Sequence, residues 1–119
     1  MPWNLDSDRP IFVQLVEKMM DDVFVGKYKA GEQFPSVRDL AIDAGVNPNT
    51  MQKALAELER TGLVYSKRTS GRFVTEDEAL IKKMKEERAS GKVDVFLNDM
   101  KRIGVEKDEV IKIIEKKGN

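Results

Sequence analysis

The sequence predicts a mainly α-helical chain that carries one small β-hairpin. Three observations support this fold class. Apolar residues recur at helical spacing in several segments after Pro10. Two short helical segments are joined by a tight turn, Ala44-Gly45-Val46. An alternating segment that starts at Leu63 is followed by a basic, turn-prone stretch, which is the pattern of two paired strands.

The first predicted helix follows a short lead-in that ends at Arg9. Pro10 suits the first turn of a helix, where its missing N–H group is not needed for a hydrogen bond. Gly26 ends the segment. The apolar positions in between are Phe12, Leu15, Val16, Met19 and Val23.

The second helix is predicted to begin at an N-cap and to end at a glycine. Ser36 is a preferred N-cap residue, and Asp39 stands three residues later, where a capping-box acid is expected. Gly45 ends the helix because it can adopt the positive φ angle that the following turn requires. The inward positions are Val37, Leu40 and Ala41.

The third helix begins at Asn47, a second N-cap residue, with Pro48 at its first position. Gly62 terminates it. A strand over residues 63–66, a basic tip from Lys67 to Gly71 and a return strand then form a hairpin. The apolar face of the third helix consists of Met51, Ala54, Leu55 and Leu58.

A domain boundary near Thr75 separates residues 1–75 from a helical tail, residues 76–119. Thr75 and Glu78 predict a capping box at the start of this tail, and Ser90-Gly91 is expected to close its first helix. A second helix ends at Gly104, and a last short helix follows. The apolar positions of the tail are Leu80, Ile81 and Met84, then Val93, Phe96, Leu97, Met100 and Ile103, then Val110, Ile111 and Ile114.

The composition excludes several classes of function. Lys plus Arg and Asp plus Glu are both 21, so any basic patch must be local. The absence of Cys and His excludes thiol nucleophiles, disulfides and zinc sites built from those residues. No nucleophile–base pair, phosphate loop or metal-ligand spacing appears, so we expect neither an enzyme nor a bound cofactor. Without a signal peptide or a membrane span of about 20 apolar residues, we expect a cytoplasmic protein.

The two short helices match a helix-turn-helix template. Counted from Val37, the fifth position is Ala41 and the ninth is Gly45, as the close crossing and the turn require. The hairpin that follows completes a winged helix. Three cations and no acid lie between residues 63 and 75, which favours contact with nucleic acid.

We predict that the outward face of the third helix reads base edges in double-stranded DNA. Asn and Gln can pair with adenine, and Lys can reach guanine or phosphate. Capping alone also explains Asn47, and an ion pair with a nearby acid is the alternative for Arg38. The wing cations are expected to contact the DNA backbone or minor groove. The predicted DNA contacts are Arg38, Asn47, Asn49, Thr50, Gln52, Lys53, Lys67, Arg68, Ser70, Gly71 and Arg72.

Residues 10–15, 30–41, 46–51, 55–63 and 71–74 resemble the GntR family of transcriptional regulators. The resemblance implies DNA contacts at Arg38, Asn47, Asn49, Thr50 and the wing near Gly71. Residues 47–50 and 96–104 resemble the YtrA subfamily in particular, which implies a small helical dimerisation tail and control of transporter genes.

One position departs from the family pattern. Gln52 stands where many relatives outside that subfamily carry Arg, and Lys53 is the basic residue that supplies the charge instead. Which base each of the two side chains reads is therefore left open.

The tail is expected to form a homodimer, because its apolar stripes are too wide to leave bare on a monomer. The alternative is that these helices fold back on their own winged helix. A two-fold dimer places two reading helices one duplex turn apart and so reads a palindrome. The predicted dimer contacts are Leu80, Met84, Val93, Phe96, Leu97, Met100 and Ile103.

The leading hypothesis is a sequence-specific transcriptional regulator, a repressor rather than an activator, that binds a palindromic operator as a homodimer. The alternative is a winged-helix module that contacts protein or RNA without reading DNA sequence. Whether a small-molecule effector binds at the dimer interface, near Phe96, Met100 or Met84, is left open, since such residues more often serve packing.

Overall fold

The computed structural model describes residues 3–118 as five α-helices and one antiparallel hairpin, which confirms the predicted fold class. None of these helices is long and apolar enough to cross a membrane. The elements in chain order are α1 (Ile11–Phe24), α2 (Val37–Ala44), α3 (Pro48–Arg60), β1 (Val64–Lys67), β2 (Gly71–Val74), α4 (Glu78–Arg102) and α5 (Lys107–Lys116).

The chain forms two compact units, Met1–Lys82 and Lys83–Asn119. The first unit extends beyond Thr75 because it includes the start of α4. Leu80 packs close to the end of α3 there: a Cβ atom at Gly62 would lie 3.6 Å from the Leu80 Cδ2 atom. The two compact units meet seven residues after Thr75, and the domain boundary near Thr75 stays a prediction.

The core of the N-terminal unit is centred on α3. This helix packs against α1, α2 and β1. Burial of each large apolar side chain in such a core contributes about 1.5–3 kcal/mol to stability. The largest fully buried side chains are Leu15 and Met19 of α1, Met51, Leu55 and Leu58 of α3, and Leu63, Val64 and Val74 of the hairpin region.

Strand β2 is paired along both of its edges. On one edge it is antiparallel to β1, with Val64 opposite Val74 and Lys67 opposite Gly71. On the other edge an extended segment pairs with it: the Phe34 N–H group donates to the Arg72 carbonyl at 2.8 Å, and the Val74 N–H group donates to the Glu32 carbonyl at 2.9 Å. The hairpin is thereby tied to the segment that precedes α2.

Two predictions about the tail are wrong. Helix α4 does not stop at Ser90-Gly91 but continues for 25 residues, because strong helix formers on both sides outweigh the low helix propensity of one glycine. The predicted capping box of Thr75 and Glu78 is also absent. Instead the Asp77 carboxylate accepts the Leu80 N–H group at 3.1 Å, and the Thr75 hydroxyl accepts the Asp77 N–H group.

The continuity of α4 separates its two apolar groups. At about 100° per residue, the group from Val93 to Ile103 is centred roughly 150° around the helix from Met84. The seven predicted dimer contacts therefore do not share one face. Val93, Phe96 and Ile103 are exposed, whereas Leu80, Met84, Leu97 and Met100 are half-buried.

The second unit is a helical hairpin that turns at Gly104. The φ angle of Gly104 is +81°, and the Val105 N–H group donates to the Met100 carbonyl, which is the usual glycine-terminated end of a helix. Glu106 and Glu109 form a capping box that starts α5. Val110 is buried.

The continuous helix can be tested at its glycine. Replacing Gly91 with Ala should stabilise the chain by about 0.5–1 kcal/mol, because alanine loses less backbone entropy on entering a helix. A Cβ atom at Gly91 would meet no atom within 4 Å. Urea unfolding followed by circular dichroism measures the change.

Gly104 provides the matched control. A Cβ atom there also meets nothing within 4 Å, so only the backbone conformation differs. Gly104→Ala should destabilise the chain by about 1–2 kcal/mol, the cost of a left-handed conformation for alanine. A Gly91→Ala variant that is destabilised to the same extent would contradict a continuous α4.

Candidate nucleic-acid interface

The turn between α2 and α3 is fixed by backbone hydrogen bonds. Gly45 has a φ angle of +76°, and the N–H groups of Gly45 and Val46 both donate to the Ala41 carbonyl, at 2.9 and 3.0 Å. Ala41 is buried where the two helices approach each other. The chain therefore passes from α2 into α3 through a turn of three residues, as the helix-turn-helix template requires.

Helix α3 turns its apolar stripe inward and a polar face outward. Met51 and Leu55 are completely buried. On the opposite side Asn49, Gln52 and Lys53 are exposed, and the structure thus brings these three predicted base-reading residues together. By helical geometry, Gln52 lies toward the flank that carries Glu59, seven residues later.

Asn47 is confirmed as the N-cap of α3. Its side-chain oxygen accepts the Asn49 N–H group at 2.7 Å. Because a phosphate only accepts hydrogen bonds, any contact of the Asn47 side chain with a phosphate must come from its amide nitrogen. Thr50, in the same first turn, is half-buried.

Arg38 is exposed in the first turn of α2, which Ser36 caps through a 3.1 Å hydrogen bond from the Asp39 N–H group. Within residues 3–118 Arg38 makes no ion pair, so the structure gives no support to the alternative of a nearby acidic partner. Residues 33–38, together with Gly71 and Arg72, line a cavity of about 350 Å³. The start of α2 and the base of the wing thus form one concave surface.

Arg72 is held by an acid that sequence analysis did not connect with the wing. Its Nε atom lies 2.5 Å from Oε1 of Glu59, and the Ser66 hydroxyl donates to the same oxygen at 2.7 Å. The hydrogen bond from Ser66, and then the hydrogen bond and charge of Arg72, lower the pKa of Glu59 below its usual value. Glu59 was missed because it belongs to α3, outside the segment whose charges were counted.

The other two wing cations have different surroundings. Lys67 Nζ lies 4.6 Å from the centroid of the Phe73 ring, a cation–π contact. Arg68 is exposed in the turn and makes no ion pair or ring contact among the described residues. Arg68 is therefore the wing cation best placed to bind an external anion.

Gln33 is a second residue that sequence analysis missed. Its side-chain amide donates to the Ser70 carbonyl at 2.9 Å. Gly71 follows with a φ angle of +97°, a conformation that favours glycine. No sequence signal links Gln33 to the wing, because the two are distant in the chain and meet only through the pairing of β2.

Comparison with known proteins gives a consistent picture. Residues 13–74 match the family model described as "Bacterial regulatory proteins, gntR family". The chain is 31% identical to the uncharacterized HTH-type transcriptional regulator YhcF of Bacillus subtilis, over 94% of this chain and 93% of that protein. It is 39% identical to the HTH-type transcriptional repressor YtrA of the same organism, over 60% of this chain and 55% of YtrA.

Solved structures agree. A GntR family transcriptional regulator from Listeria monocytogenes superimposes with a TM-score of 0.88 at 35% identity, covering 94% of this chain and 98% of that one. The DNA-binding domain of AraR in complex with operator ORX1 matches with a TM-score of 0.54 at 28% identity, over 63% of this chain and 92% of that one. The chain therefore belongs to the GntR family of bacterial regulatory proteins, which are transcriptional regulators rather than enzymes.

Proposed function

We propose that this protein is a cytoplasmic repressor that binds a palindromic operator as a homodimer. The observation that carries the proposal is the outward face of α3, where Asn49, Gln52 and Lys53 are exposed together while the opposite face fixes the helix in the core. No acid occurs between residues 46 and 56. Such a face suits the major groove, which offers hydrogen-bonding groups that amide and ammonium side chains can recognise.

The contacts around α3 are proposed to divide between bases and backbone. Gln52 and Lys53 read base edges, with Asn49 beside them. Phosphates are bound by Arg38 at the start of α2 and by Arg68 in the wing, both of which are exposed. Asn47, Thr50, Lys67, Ser70, Gly71 and Arg72 are proposed as flanking contacts or supports of the same surface.

Repression is supported by the relatives. YtrA is named a transcriptional repressor. A protein bound over its operator acts most simply by blocking the access of polymerase to the promoter. The proposal extends that activity to this chain.

Homodimer formation is supported by the apolar surface of the second unit. Phe96 of α4 is 44% exposed, Ile103 in the turn after α4 is 71% exposed, and Ile111 and Ile114 of α5 are also exposed. Exposed large apolar side chains in this number on one small helical unit favour a contact with another chain. A second copy is the proposed partner, because a two-fold pair places two α3 helices about 34–36 Å apart on one face of the duplex.

The base-reading role of Gln52 can be measured directly. Gln52→Ala should weaken binding by about 1–3 kcal/mol at one symmetric pair of operator positions and relax the base preference there. The operator is first selected from a random duplex pool with the wild-type protein. Asn98→Ala, a truncation of an exposed amide in α4, is the control and should bind as the wild type does. Unchanged affinity and base preference in Gln52→Ala would exclude Gln52 from base reading.

The two wing arginines should behave differently in salt titrations. Arg68→Ala should flatten the plot of log affinity against log salt by about 2, because the proposed homodimer loses one phosphate contact, worth about 1, from each protomer. Arg72→Ala should change this slope less and lower the stability instead, because Glu59 already pairs with Arg72, whose side chain is only 20% exposed. Equal slopes for Arg72→Ala and Arg68→Ala would show that Arg72 also binds phosphate.

The proposed dimer surface can be tested by placing a negative charge at each of two neighbouring exposed positions of α4, in separate variants. Phe96→Asp should give a monomer by sedimentation at micromolar concentration, because a carboxylate would be buried in the proposed interface. Val95→Asp is the matched control: Val95 is 62% exposed and lies about 100° around α4 from Phe96, away from the side that carries Phe96 and Met100, so this variant should remain a dimer. A wild-type protein that sediments as a monomer would contradict the proposal.

A further inference from the structure

We infer that Gln33 is a positioning residue for DNA binding: its side-chain amide holds the tip of the wing in the orientation in which Arg68 meets the phosphate backbone. The inference rests on the proposed function, since it assigns a role within DNA binding. Gln33 is neutral and lies outside α3 and outside the wing.

The contact is a specific one. The Gln33 Nε2 atom donates to the Ser70 carbonyl at 2.9 Å, across 37 positions of the chain. The backbone of Gln33 forms an antiparallel bridge with Phe73 at the same time. The side chain of Gln33 is therefore directed along the hairpin toward its tip by the pairing of its own backbone.

The tip depends on few other contacts. The last paired positions of the hairpin are Lys67 and Gly71, so residues 68–70 lie beyond the paired strands. Within this turn the Ser70 N–H group donates to the Lys67 carbonyl at 3.0 Å. The bond from Gln33 therefore holds the tip from outside the hairpin, at a place that the pairing of the strands does not reach.

Gly71 fits the same arrangement. A Cβ atom at this position would lie 3.1 Å from Gln33 Nε2, closer than ordinary contact, and the φ angle of +97° is unfavourable for any other residue. The glycine therefore leaves room for the amide beside the strand. The turn conformation and the Gln33 contact therefore both favour glycine at position 71.

Ordering of the tip matters for affinity. A flexible tip must lose conformational freedom when its cation binds phosphate, and this loss weakens binding. A tip that is already held by Gln33 avoids the loss on binding. Because Gln33 carries no charge, its removal can alter the salt dependence of binding only through the cations that it positions.

The test is Gln33→Met in the full-length protein, a change that keeps the side-chain length and removes the donor. Gln33 is exposed, so the fold should persist. Binding to the selected operator should weaken about tenfold, and the salt slope should flatten by up to about 2, about 1 for the Arg68 contact of each protomer. Amide relaxation measured by nuclear magnetic resonance should show residues 68–70 becoming more mobile while α3 is unchanged.

A double-mutant cycle with Arg68 separates positioning from direct contact. In an Arg68→Ala background, Gln33→Met should produce no further flattening of the salt slope, because the cation it positions is already missing. Weaker binding with an unchanged slope and a rigid tip would mean that Gln33 touches DNA itself, and this would overturn the inference.

Two outcomes distinguish this inference from the proposed function. A wild-type protein that binds operator while Gln33→Met binds it equally well overturns the positioning role alone. A wild-type protein that binds no duplex DNA overturns the proposed function, and the positioning role with it.

Discussion

The packing of α3 against α1 and α2 is the constraint on which the rest of the molecule depends. Met51, Leu55 and Leu58 are completely buried, so the rotation of this helix about its axis is fixed. A helix whose one face is committed to the core must present the other face to solvent, because apolar and polar positions alternate around it with a period of 3.6 residues. The exposure of Gln52 and Lys53 is thus a consequence of burial elsewhere.

The base of the wing is fixed by the buried Val64 and Val74, and polar side-chain contacts hold the part nearer its tip. Glu59 holds Arg72 from the side of α3, and Gln33 holds the carbonyl of Ser70 from the segment before α2. The three wing cations, which look alike in the sequence, therefore have different surroundings in the structure. Arg72 forms an ion pair with Glu59, Lys67 lies over the ring of Phe73, and Arg68 is exposed to solvent. For a chain with zero net charge, this local arrangement decides where an anion can bind.

In the tail, the absence of a helix boundary at Ser90-Gly91 changes which apolar residues can face the same partner. Two helices separated at Ser90-Gly91 could each turn an apolar stripe to the same partner. A single helix α4 cannot, since its angular period places Met84 and Met100 on opposite sides. The surface proposed for a second copy is therefore confined to the group from Val93 to Ile103 and to exposed residues of α5, while Leu80 packs within the N-terminal unit.

The sequence by itself determined the helices and the hairpin of the N-terminal unit, because their signals are local. The caps at Ser36 and Asn47, the left-handed Gly45 and the stripe around Leu55 each involve residues within a few positions of one another. The same local reasoning failed at Gly91, where the propensity of one residue was outweighed by its neighbours. Only the tertiary structure decided which side chains near the wing pair with each other. Glu59 reaches Arg72 and Gln33 reaches Ser70 only after α3, the extended segment and β2 have come together, and no spacing in the sequence encodes contacts made across separate elements.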